Sequence, residues 1–414
     1  RPGASLPRRI YPDAGARPAR SRRALLANVV GVATVATVAT GCAGTPVADA
    51  RRAEPVVAPK APAEQAPAPA IAPRAEPVVA APLPAPVAAP VQPIRLGVGG
   101  LTQPAYASNP TRIIYYDQPA PGQGGMFAID TGDPAGAEPR RERPDWGYVD
   151  GDASLMTVPR PAQRDSLVTH LSSGRQWTLP TTSTPVFSRD GGVVAFTASA
   201  AGAPGGPSTG AGLAGWSTAR WGMTTLAIGS ADGSDLRRVQ LPLNGGAVAW
   251  VPGADGTPGG RLLLSGRRNE SDDPSYWTFD PNDASLIELA RGKRLIGALA
   301  SPDGTWLAHV TMWSGGESDG LWVTRTDGSS RRRVAMIGGY RWTDDNRLVV
   351  IPHRQSWRES HAVWEVDPAN GDTRRVTDPT TTPFFIANYD WDLSPDGSEL
   401  VYVSTYDKAM WRLD

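Results

Sequence analysis

Short apolar runs alternate with turn-forming polar residues over roughly the last 300 residues of the chain. The clearest example is SPDGTWLAHV (301–310), in which Ser, Pro, Asp and Gly suit a tight turn and the bulky residues after them suit a buried strand. Close variants are FSRDGGVVAFTA (187–198) and LSPDGSELVYVS (393–404), and looser ones are WTDDNRLVVIP (342–352) and WVPGADGTPGGRLLLSG (250–266). The pattern predicts one hairpin repeated along the chain.

A second phrase follows each of these hairpins after a variable gap. It joins an apolar strand, an Asp/Asn/Gly turn and an Arg-bearing strand, as in LWVTRTDGSSRRRVAM (321–336), LAIGSADGSDLRRVQL (226–241) and VWEVDPANGDTRRVTD (363–378). Two hairpins make a four-stranded antiparallel sheet, which cannot bury both of its faces alone. Units spaced about 40 to 60 residues apart must therefore stack, and a ring of them leaves few open edges. The predicted fold is an all-β propeller.

Seven pairs of strands can be counted from residue 95 to the end, which favours seven blades, with six or eight left open. The pairs are IIYYD with MFAID, SLMTV with LVTHL, VVAFT with TTLAI, RLLLS with YWTFD, WLAHV with LWVTR, RLVVI with AVWEV, and ELVYV with AMWRL. The sequence ends at Asp414 after the third strand of the last unit. We expect PIRLGVG (93–99) to supply the fourth strand and to lock the ring.

These two phrases together resemble a known family. The alternation of an SPDG hairpin and an apolar strand with a DG turn and an Arg-containing strand is similar to the TolB-type propeller repeat, over about the last 300 residues. That family includes periplasmic scaffolds, propeller domains of proteases and some polysaccharide lyases. The resemblance therefore implies an architecture and leaves the function open.

Residues 1–42 have the pattern of a targeting segment. Basic residues that include Arg22 and Arg23 precede the apolar run 24–39, which is short for a membrane span and fits a signal sequence. ATGC (39–42) resembles a bacterial lipobox, so Cys42 is the predicted lipidation site; the alternative is an incidental cysteine behind a signal anchor. SRRALL (21–26) also resembles a twin-arginine export signal, and export by the Sec route remains the alternative.

Residues 43–94 form a Pro/Ala-rich stretch with few large side chains. Such a stretch cannot offset the entropy lost on ordering, so we expect a disordered tether between the anchor and a propeller at 95–414. Proline holds such segments near the polyproline II conformation, at about 3.1 Å per residue, so the tether can reach on the order of 100 Å. The predicted location is extracytoplasmic, on the membrane of the cell envelope.

Composition excludes several function classes. Lys and Arg number 41 and Asp and Glu number 41, so the balanced charge gives no reason to expect a nucleic-acid partner. A single cysteine among 414 residues rules out a disulfide within the chain. No motif calls for a cofactor, and we expect a monomer.

Propeller connectivity divides the turns between two faces of the ring. The short DG turns share one face, and the long loops 199–223, 266–275, 311–320, 352–361 and 405–409 share the other. Aromatic and arginine side chains on one surface are typical of binding sites. An alternative is that each tryptophan covers its own blade. The binding-face candidates are Trp216, Trp221, Arg267, Arg268, Glu270, Trp313, His353, Arg354, Trp357, Arg358, His361 and Tyr406, with Glu317 in the same loops.

Four further signals favour a structural interpretation over a chemical one. His353 and His361 lack a third ligand or a carboxylate pair nearby, which makes metal binding or acid–base catalysis a weak hypothesis. Ser208 in GPSTG matches a nucleophile-elbow string without its strand–helix context. The third signal is the group Asn388, Asp390 and Asp392, which we interpret as a solvated channel wall rather than a cation site. The fourth is a set of arginines, which we interpret as charges that protect edge strands from aggregation: 237–238, 331–333 and 374–375.

The sequence thus predicts an exported, lipid-anchored propeller that serves as a binding or scaffold protein of the bacterial cell envelope. Its expected partners are an envelope protein or glycan and, through Cys42, the membrane. No catalytic residue, metal ligand or cofactor is assigned. The alternative hypothesis is a propeller-type polysaccharide lyase or glycosidase that acts through the loop face around His353 and His361.

Overall fold

The protein is a β-propeller of seven four-stranded antiparallel blades. The computed structural model describes residues 93–97, 104–107, 111–133, 138–144, 147–150, 154–198, 224–253, 260–354, 356 and 358–414. Within these ranges, 28 strands form seven separate sheets, and the helical structure is one short 3₁₀ turn at Gly316–Ser318. The cysteine and most of the Pro/Ala-rich stretch lie outside the described residues.

The strands follow the chain blade by blade, after a first strand β1 (Ile94–Gly97). Blades 1 to 3 are β2 (Ala105–Tyr106), β3 (Arg112–Asp117), β4 (Gly125–Asp130) and β5 (Arg140–Arg143); β6 (Tyr148–Val149), β7 (Leu155–Arg160), β8 (Asp165–His170) and β9 (Gln176–Leu179); and β10 (Val186–Phe187), β11 (Val193–Thr197), β12 (Thr225–Ser230) and β13 (Arg237–Gln240).

Blades 4 to 6 are regular four-stranded meanders, and blade 7 takes three consecutive strands. In order they are β14 (Asn244–Val251), β15 (Arg261–Arg267), β16 (Ser275–Phe279) and β17 (Leu286–Arg291); β18 (Arg294–Ala300), β19 (Trp306–Met312), β20 (Gly320–Arg325) and β21 (Arg331–Arg333); β22 (Gly338–Trp342), β23 (Leu348–Pro352), β24 (Trp364–Val366) and β25 (Thr373–Arg375); and β26 (Ile386–Leu393), β27 (Leu400–Ser404) and β28 (Met410–Leu413).

The first strand of the chain completes the last blade. β1 pairs antiparallel with β28, with Ile94 opposite Arg412, and gives the sheet order β1-β28-β27-β26. The first strands of blades 3 to 7 contact one another in succession, and β2 of blade 1 contacts β26 of blade 7, so the first and last blades are neighbours in the ring. The seven predicted strand pairs and the predicted closure by the segment at 93–99 are confirmed.

The repeated SPDG phrase forms the turn between the first and second strands of a blade. In blade 5, Asp303 accepts hydrogen bonds from the Ser301 hydroxyl and the Thr305 amide, and Gly304 has a positive φ of 70°. Copies of this arrangement begin at Ser188, Thr343 and Ser394. In the last of them, hydrogen bonds from the Ser394 hydroxyl and the Ser398 amide lower the pKa of Asp396 below its ordinary value.

The antiparallel order places the connections on two opposite faces. Turns between first and second strands, such as 301–305, and between third and fourth strands, such as 326–330, lie on one face, which we call the short-turn face. Loops between second and third strands, such as 313–319 and 405–409, and the connections between blades lie on the other, which we call the long-loop face.

The core lies in the seams between neighbouring blades. Between blades 5 and 6, Trp306 and Val310 pack against Tyr340 and Val350. Indole groups add hydrogen bonds across these seams: Trp250 Nε1 donates to the Val186 carbonyl at 3.0 Å, and Trp342 Nε1 donates to the Leu299 carbonyl at 3.0 Å. Each pair links the innermost strands of consecutive blades, so a seam is joined by polar contacts as well as by apolar packing.

Arginines of the rim strands also cross to the next blade. Arg332 of blade 5 donates to the carbonyls of Ala369 and Asn370 in blade 6, and Arg237 of blade 3 donates to the Pro281 carbonyl in blade 4 at 2.8 Å. The sequence analysis interpreted these arginines as protection of edge strands. The structure gives two of them a different role, because they satisfy turn carbonyls of the neighbouring blade.

Asp392 joins three blades where the ring closes. Its carboxylate accepts from Arg341 Nε at 2.8 Å in blade 6 and from the Tyr106 amide at 2.9 Å in blade 1, while Asp392 itself belongs to blade 7. Arg341 also donates to the Trp391 carbonyl at 3.1 Å. The interpretation of Asp392 as part of a solvated channel wall was wrong, because this carboxylate is committed to a nearly buried ion pair with side chains 8% and 14% exposed.

The Arg341–Asp392 pair generates a stability prediction. We expect Arg341→Met to lower the free energy of unfolding by about 3–5 kcal/mol, because it leaves a poorly solvated carboxylate without its partner. Denaturant unfolding measures this loss. The matched control is Asp344→Ala, which removes an ion pair to Arg189 whose side chains are 53% and 51% exposed and which contributes about 0–1 kcal/mol. Equal losses in the two variants would contradict this account of ring closure.

Candidate functional site

Some of the predicted binding residues lie outside the described ranges. These are Trp216, Trp221 and Trp357, together with the lipidation candidate Cys42 and the serine of the nucleophile-like string, Ser208. The other candidates are described, and all of them belong to the second-to-third-strand segments of blades 4 to 7, at the long-loop face.

An aromatic and arginine cluster occupies the long-loop face at blades 6 and 7. Tyr406 is 77% exposed and meets Phe385 edge to face, with ring centroids 4.9 Å apart. The guanidinium of Arg354 lies over the Phe385 ring at 5.6 Å from its centroid. Cation–π and edge-to-face contacts hold such side chains in place at the surface, so they present a large contact area that is already ordered.

The innermost strand of blade 7 bulges beside this cluster. Ile386 pairs with Ser404 and Trp391 pairs with Tyr402, so four residues of β26 stand opposite a single residue of β27. Asn388 in this bulge has a φ of 54°, in the left-handed region that non-glycine residues rarely adopt. Irregular strands of this kind occur next to functional sites because they redirect side chains.

The bulge also carries a titratable carboxyl group. Burial raises the pKa of Asp390 to about 6, while a hydrogen bond from Asn388 and the charge of Lys408 act in the opposite direction. Lys408 has a φ of 58° in the loop 405–409. Two groups, one around Phe385 and one around Asp390, are carried by the same two segments, 385–390 and 406–408, and we call them together the mouth cluster: Arg354, Phe385, Asn388, Asp390, Tyr406 and Lys408.

A second exposed aromatic residue lies on blade 5 of the same face. Trp313 is 60% exposed, and the guanidinium of Arg294 stands over its indole at 4.4 Å from the ring centroid. Trp313 has a φ of 62°, an unusual backbone conformation for so bulky a residue. Arg294 belongs to β18 of the same blade, so Trp313 contacts its own blade while more than half of its surface is exposed.

The blade 4 candidates form a group of their own. Arg268 is exposed, with its guanidinium over the buried Trp277 ring at 4.6 Å from the centroid, and Glu270 is exposed in the same loop. Arg267 is half-buried and donates to the Glu270 carbonyl at 3.5 Å. The structure therefore brings together Arg354 and Tyr406 through Phe385, whereas the blade 4 residues remain with their own loop.

The two histidines offered for catalysis have different environments. His353 is exposed, and so is Arg358 nearby, but His361 is 2% exposed and packs against Phe384. His361 Nδ1 accepts from the Ile386 amide at 3.1 Å, and burial, aided by the charge of Arg354, lowers the pKa of His361 to about 4. Its expected place among the exposed loop side chains was wrong, because the ring anchors the start of β26 inside the core.

Among the residues that the structure describes, no group of three or more His, Cys, Asp or Glu side chains is arranged to hold a metal ion. The described part of the chain contains no helix with the length and apolar character of a membrane span. What the long-loop face offers is exposed aromatic area with adjacent guanidinium, amide and carboxyl groups.

Sequence reasoning missed Phe385, Lys408 and Arg294 as members of this surface. Phe385 follows another phenylalanine directly before an apolar strand, a position that is as typical of core as of surface. Its role arises from Tyr406, which lies 21 positions later in the sequence, and Arg294 acquires its role from Trp313 across a hairpin. To find them from the sequence, one would need to know which residues of neighbouring strands and loops lie opposite each other.

Comparison with solved structures returns propeller proteins at low identity. An oligogalacturonate lyase in complex with manganese is 17% identical, with 76% of this chain and 77% of that chain covered and a TM-score of 0.39. TolB from Acinetobacter baumannii is 14% identical, with coverage of 73% and 79% and a TM-score of 0.37. The propeller domain of the Trilobed protease from Pyrococcus furiosus is 10% identical, with coverage of 77% and 93% and a TM-score of 0.47.

These likenesses do not indicate what the chain does. No protein-family model and no curated protein matches the sequence. The seven sheets establish the propeller fold by themselves, and membership of the TolB-type family stays a prediction from the repeated SPDG phrase.

Asp390 generates a pH prediction. A carboxyl whose pKa is raised on folding contributes stability that is present below its ordinary pKa of 3.8 and is lost as the pH rises through about 6. We therefore expect the denaturation midpoint of the wild type to fall between about pH 4 and pH 6, and to level off above that, relative to that of Asp390→Asn, whose side chain does not ionise. The control is the exposed Asp344→Asn. Parallel profiles for the wild type and Asp390→Asn would contradict the burial of this carboxyl.

Proposed function

We propose that this chain is an exported, lipid-anchored β-propeller that binds a protein or glycan of the bacterial cell envelope through its long-loop face. The proposal assigns the protein no chemistry of its own. Its location rests on the export and lipobox-like signals that end at Cys42, and its binding role rests on the mouth cluster and Trp313.

The observation that carries the binding role is the exposed aromatic and arginine surface. Tyr406 and Trp313 are the two most exposed of the large apolar side chains in the described residues, at 77% and 60%. Both stand beside a guanidinium or a second ring that restricts their motion. Tyr, Trp and Arg are the residue types that dominate binding energy at interfaces, and a fixed side chain loses little entropy when a partner covers it.

Two features support a binding protein over an enzyme. His361, the residue on which the lyase or glycosidase hypothesis depends, is buried and accepts a backbone hydrogen bond. Asp390 has a suitable pKa for proton transfer, but its neighbours are Asn388 and Lys408 rather than a second carboxyl group at the spacing that glycoside hydrolysis uses.

Site-specific crosslinking tests the face that binds. We expect a photo-crosslinking amino acid at position 406 to capture a discrete envelope partner, because Tyr406 projects from the long-loop face. The same amino acid at Ser329, an exposed position on the short-turn face, is the matched control and should capture none. We also expect Tyr406→Ala to weaken binding of the purified partner about tenfold, with the thermal midpoint unchanged.

Two results would overturn this proposal. One is capture from position 329 in place of position 406. The other is cleavage of an acidic polysaccharide by the wild-type protein that His361→Ala abolishes while the variant remains folded, since this would assign catalysis to the chain.

The membrane anchor has a separate test. We expect mass spectrometry of the mature protein to find an acylated cysteine, residue 42, at its N-terminus, and we expect Cys42→Ser to move the protein from the membrane fraction to the soluble envelope fraction. A mature protein that keeps the residues before Cys42 unmodified would contradict lipid anchoring. Binding through position 406 would be unaffected by that result.

A further inference from the structure

The seam between blades 2 and 3 opens into a cavity on the short-turn face. Its volume is about 410 Å³, within the range of roughly 300–1,000 Å³ that small-molecule sites occupy. It is far in the sequence from the mouth cluster and lies on the opposite face. We call it the blade 2–3 groove and define it by the polar and aromatic lining residues His170, Arg175, Trp177, Arg189, Ser230 and Asp232.

One turn that lines the groove differs from two equivalent turns of the repeat. In blades 5 and 7 the turn glycine packs on the preceding blade, so that a Cβ on Gly304 would lie 1.9 Å from the Pro252 carbonyl oxygen and one on Gly397 would lie 2.7 Å from Thr343. In blade 3 the equivalent Gly191 has the same positive φ, but a Cβ there would meet nothing within 4 Å. Among the described residues, Gly191 thus lacks the close contact with the preceding blade that Gly304 and Gly397 make, and breaks in a local rule are expected at functional sites.

The outer wall of the groove is held in a fixed geometry. Trp177 of blade 2 donates from Nε1 to the Ala231 carbonyl in blade 3 at 2.8 Å, so its indole bridges the two blades. The guanidinium of Arg175 lies over this indole at 5.6 Å from the ring centroid. A ligand in the groove therefore meets an aromatic side chain that is already oriented, which reduces the entropy lost on binding.

The charges that line the groove cancel. Arg175 and Arg189 are matched by Asp190 and Asp232, and Arg189 also forms an ion pair with Asp344 across the ring at 2.8 Å. Asp190 accepts from the Gly192 amide and Asp232 accepts from the Ser234 amide, so each carboxylate is oriented by its own turn. The field in the groove therefore favours neither a strongly anionic nor a strongly cationic ligand.

Planar polar groups around an indole match the chemistry of a sugar ring. Guanidinium and carboxylate groups each offer two parallel hydrogen-bonding atoms, which fit neighbouring hydroxyl groups that both donate and accept. The indole of Trp177 adds apolar surface to the lining, against which the carbon skeleton of a sugar can pack. From this combination we propose that the blade 2–3 groove is a binding site for a neutral saccharide unit.

Titration of the full-length protein with neutral sugars tests the site. The probes are glucose, N-acetylglucosamine, maltose and the disaccharide of N-acetylglucosamine, followed by the indole N–H resonance of Trp177 and by calorimetry. We expect at least one of them to bind saturably and to shift that resonance. Arg175→Ala and Asp232→Asn should each weaken binding about fivefold or more, with unchanged thermal midpoints, because Arg175 is exposed and asparagine can still accept the Ser234 amide.

The matched control is Arg238→Ala, which removes an exposed arginine from the rim strand of blade 3 outside the groove and should leave binding unchanged. The proposal is overturned if no neutral saccharide binds, if both groove variants bind as the wild type does, or if glucuronic acid or an acidic tripeptide binds more tightly than the neutral sugars. Crosslinking from position 406 is the independent readout of the long-loop face, so failure of this site is distinguishable from failure of the proposed function.

Discussion

Hydrogen bonds that cross from one blade to the next hold this molecule together. A four-stranded sheet buries its two faces only against neighbours, so the stability of every blade depends on the seams beside it. The donors at these seams are long side chains with an apolar body: the indoles of Trp177, Trp250 and Trp342, and the guanidinium of Arg332. Each reaches across a seam and satisfies a backbone carbonyl of the neighbouring blade, which is costly to leave unpaired.

Ring closure repeats this arrangement at three distances from the axis. Near the axis, Asp392 joins the inner strands of blades 6, 7 and 1. Farther out, Arg412 of blade 7 donates to the Thr131 carbonyl of blade 1 at 2.9 Å. At the rim, β1 pairs with β28 and places the beginning of the propeller beside its end. The seam between blades 7 and 1 is thus held by polar contacts of the same kinds that join blades which are continuous in sequence.

Much of the architecture could be predicted from the sequence because it depends on local patterns. A turn such as that of Ser301, Asp303 and Gly304 is specified within five residues. Strands follow from the periodicity of apolar side chains. The seven blades and their closure could therefore be predicted from the sequence. The roles of His361 and Asp392 were not accessible. Both are polar residues in segments with exposed character, and their burial depends on the Ile386 amide and on Arg341.

The sequence was enough to predict which face of the propeller carries the candidate site, but not which residues form that site. Connectivity alone assigns the long loops to one side, which is why Trp313 and Tyr406 were found. The bulge that carries Asn388 and Asp390 has no sequence signature, because an irregular pairing register depends on both strands. The open seam next to Gly191 is similarly invisible, since the turn sequence SRDG resembles the turns that close other seams.

The two faces of the propeller differ in which residues adopt unfavourable backbone conformations. On the short-turn face, positive φ angles fall mainly on glycines such as Gly304 and Gly397, which adopt them at little cost and allow close packing of blades. At the long-loop face, Trp313, Asn388 and Lys408 adopt the same region at a cost of about 1–3 kcal/mol each. Such strain persists only where the surrounding structure imposes it. The seams therefore supply the stability that lets one face of the propeller hold side chains in strained, exposed positions suited to recognition.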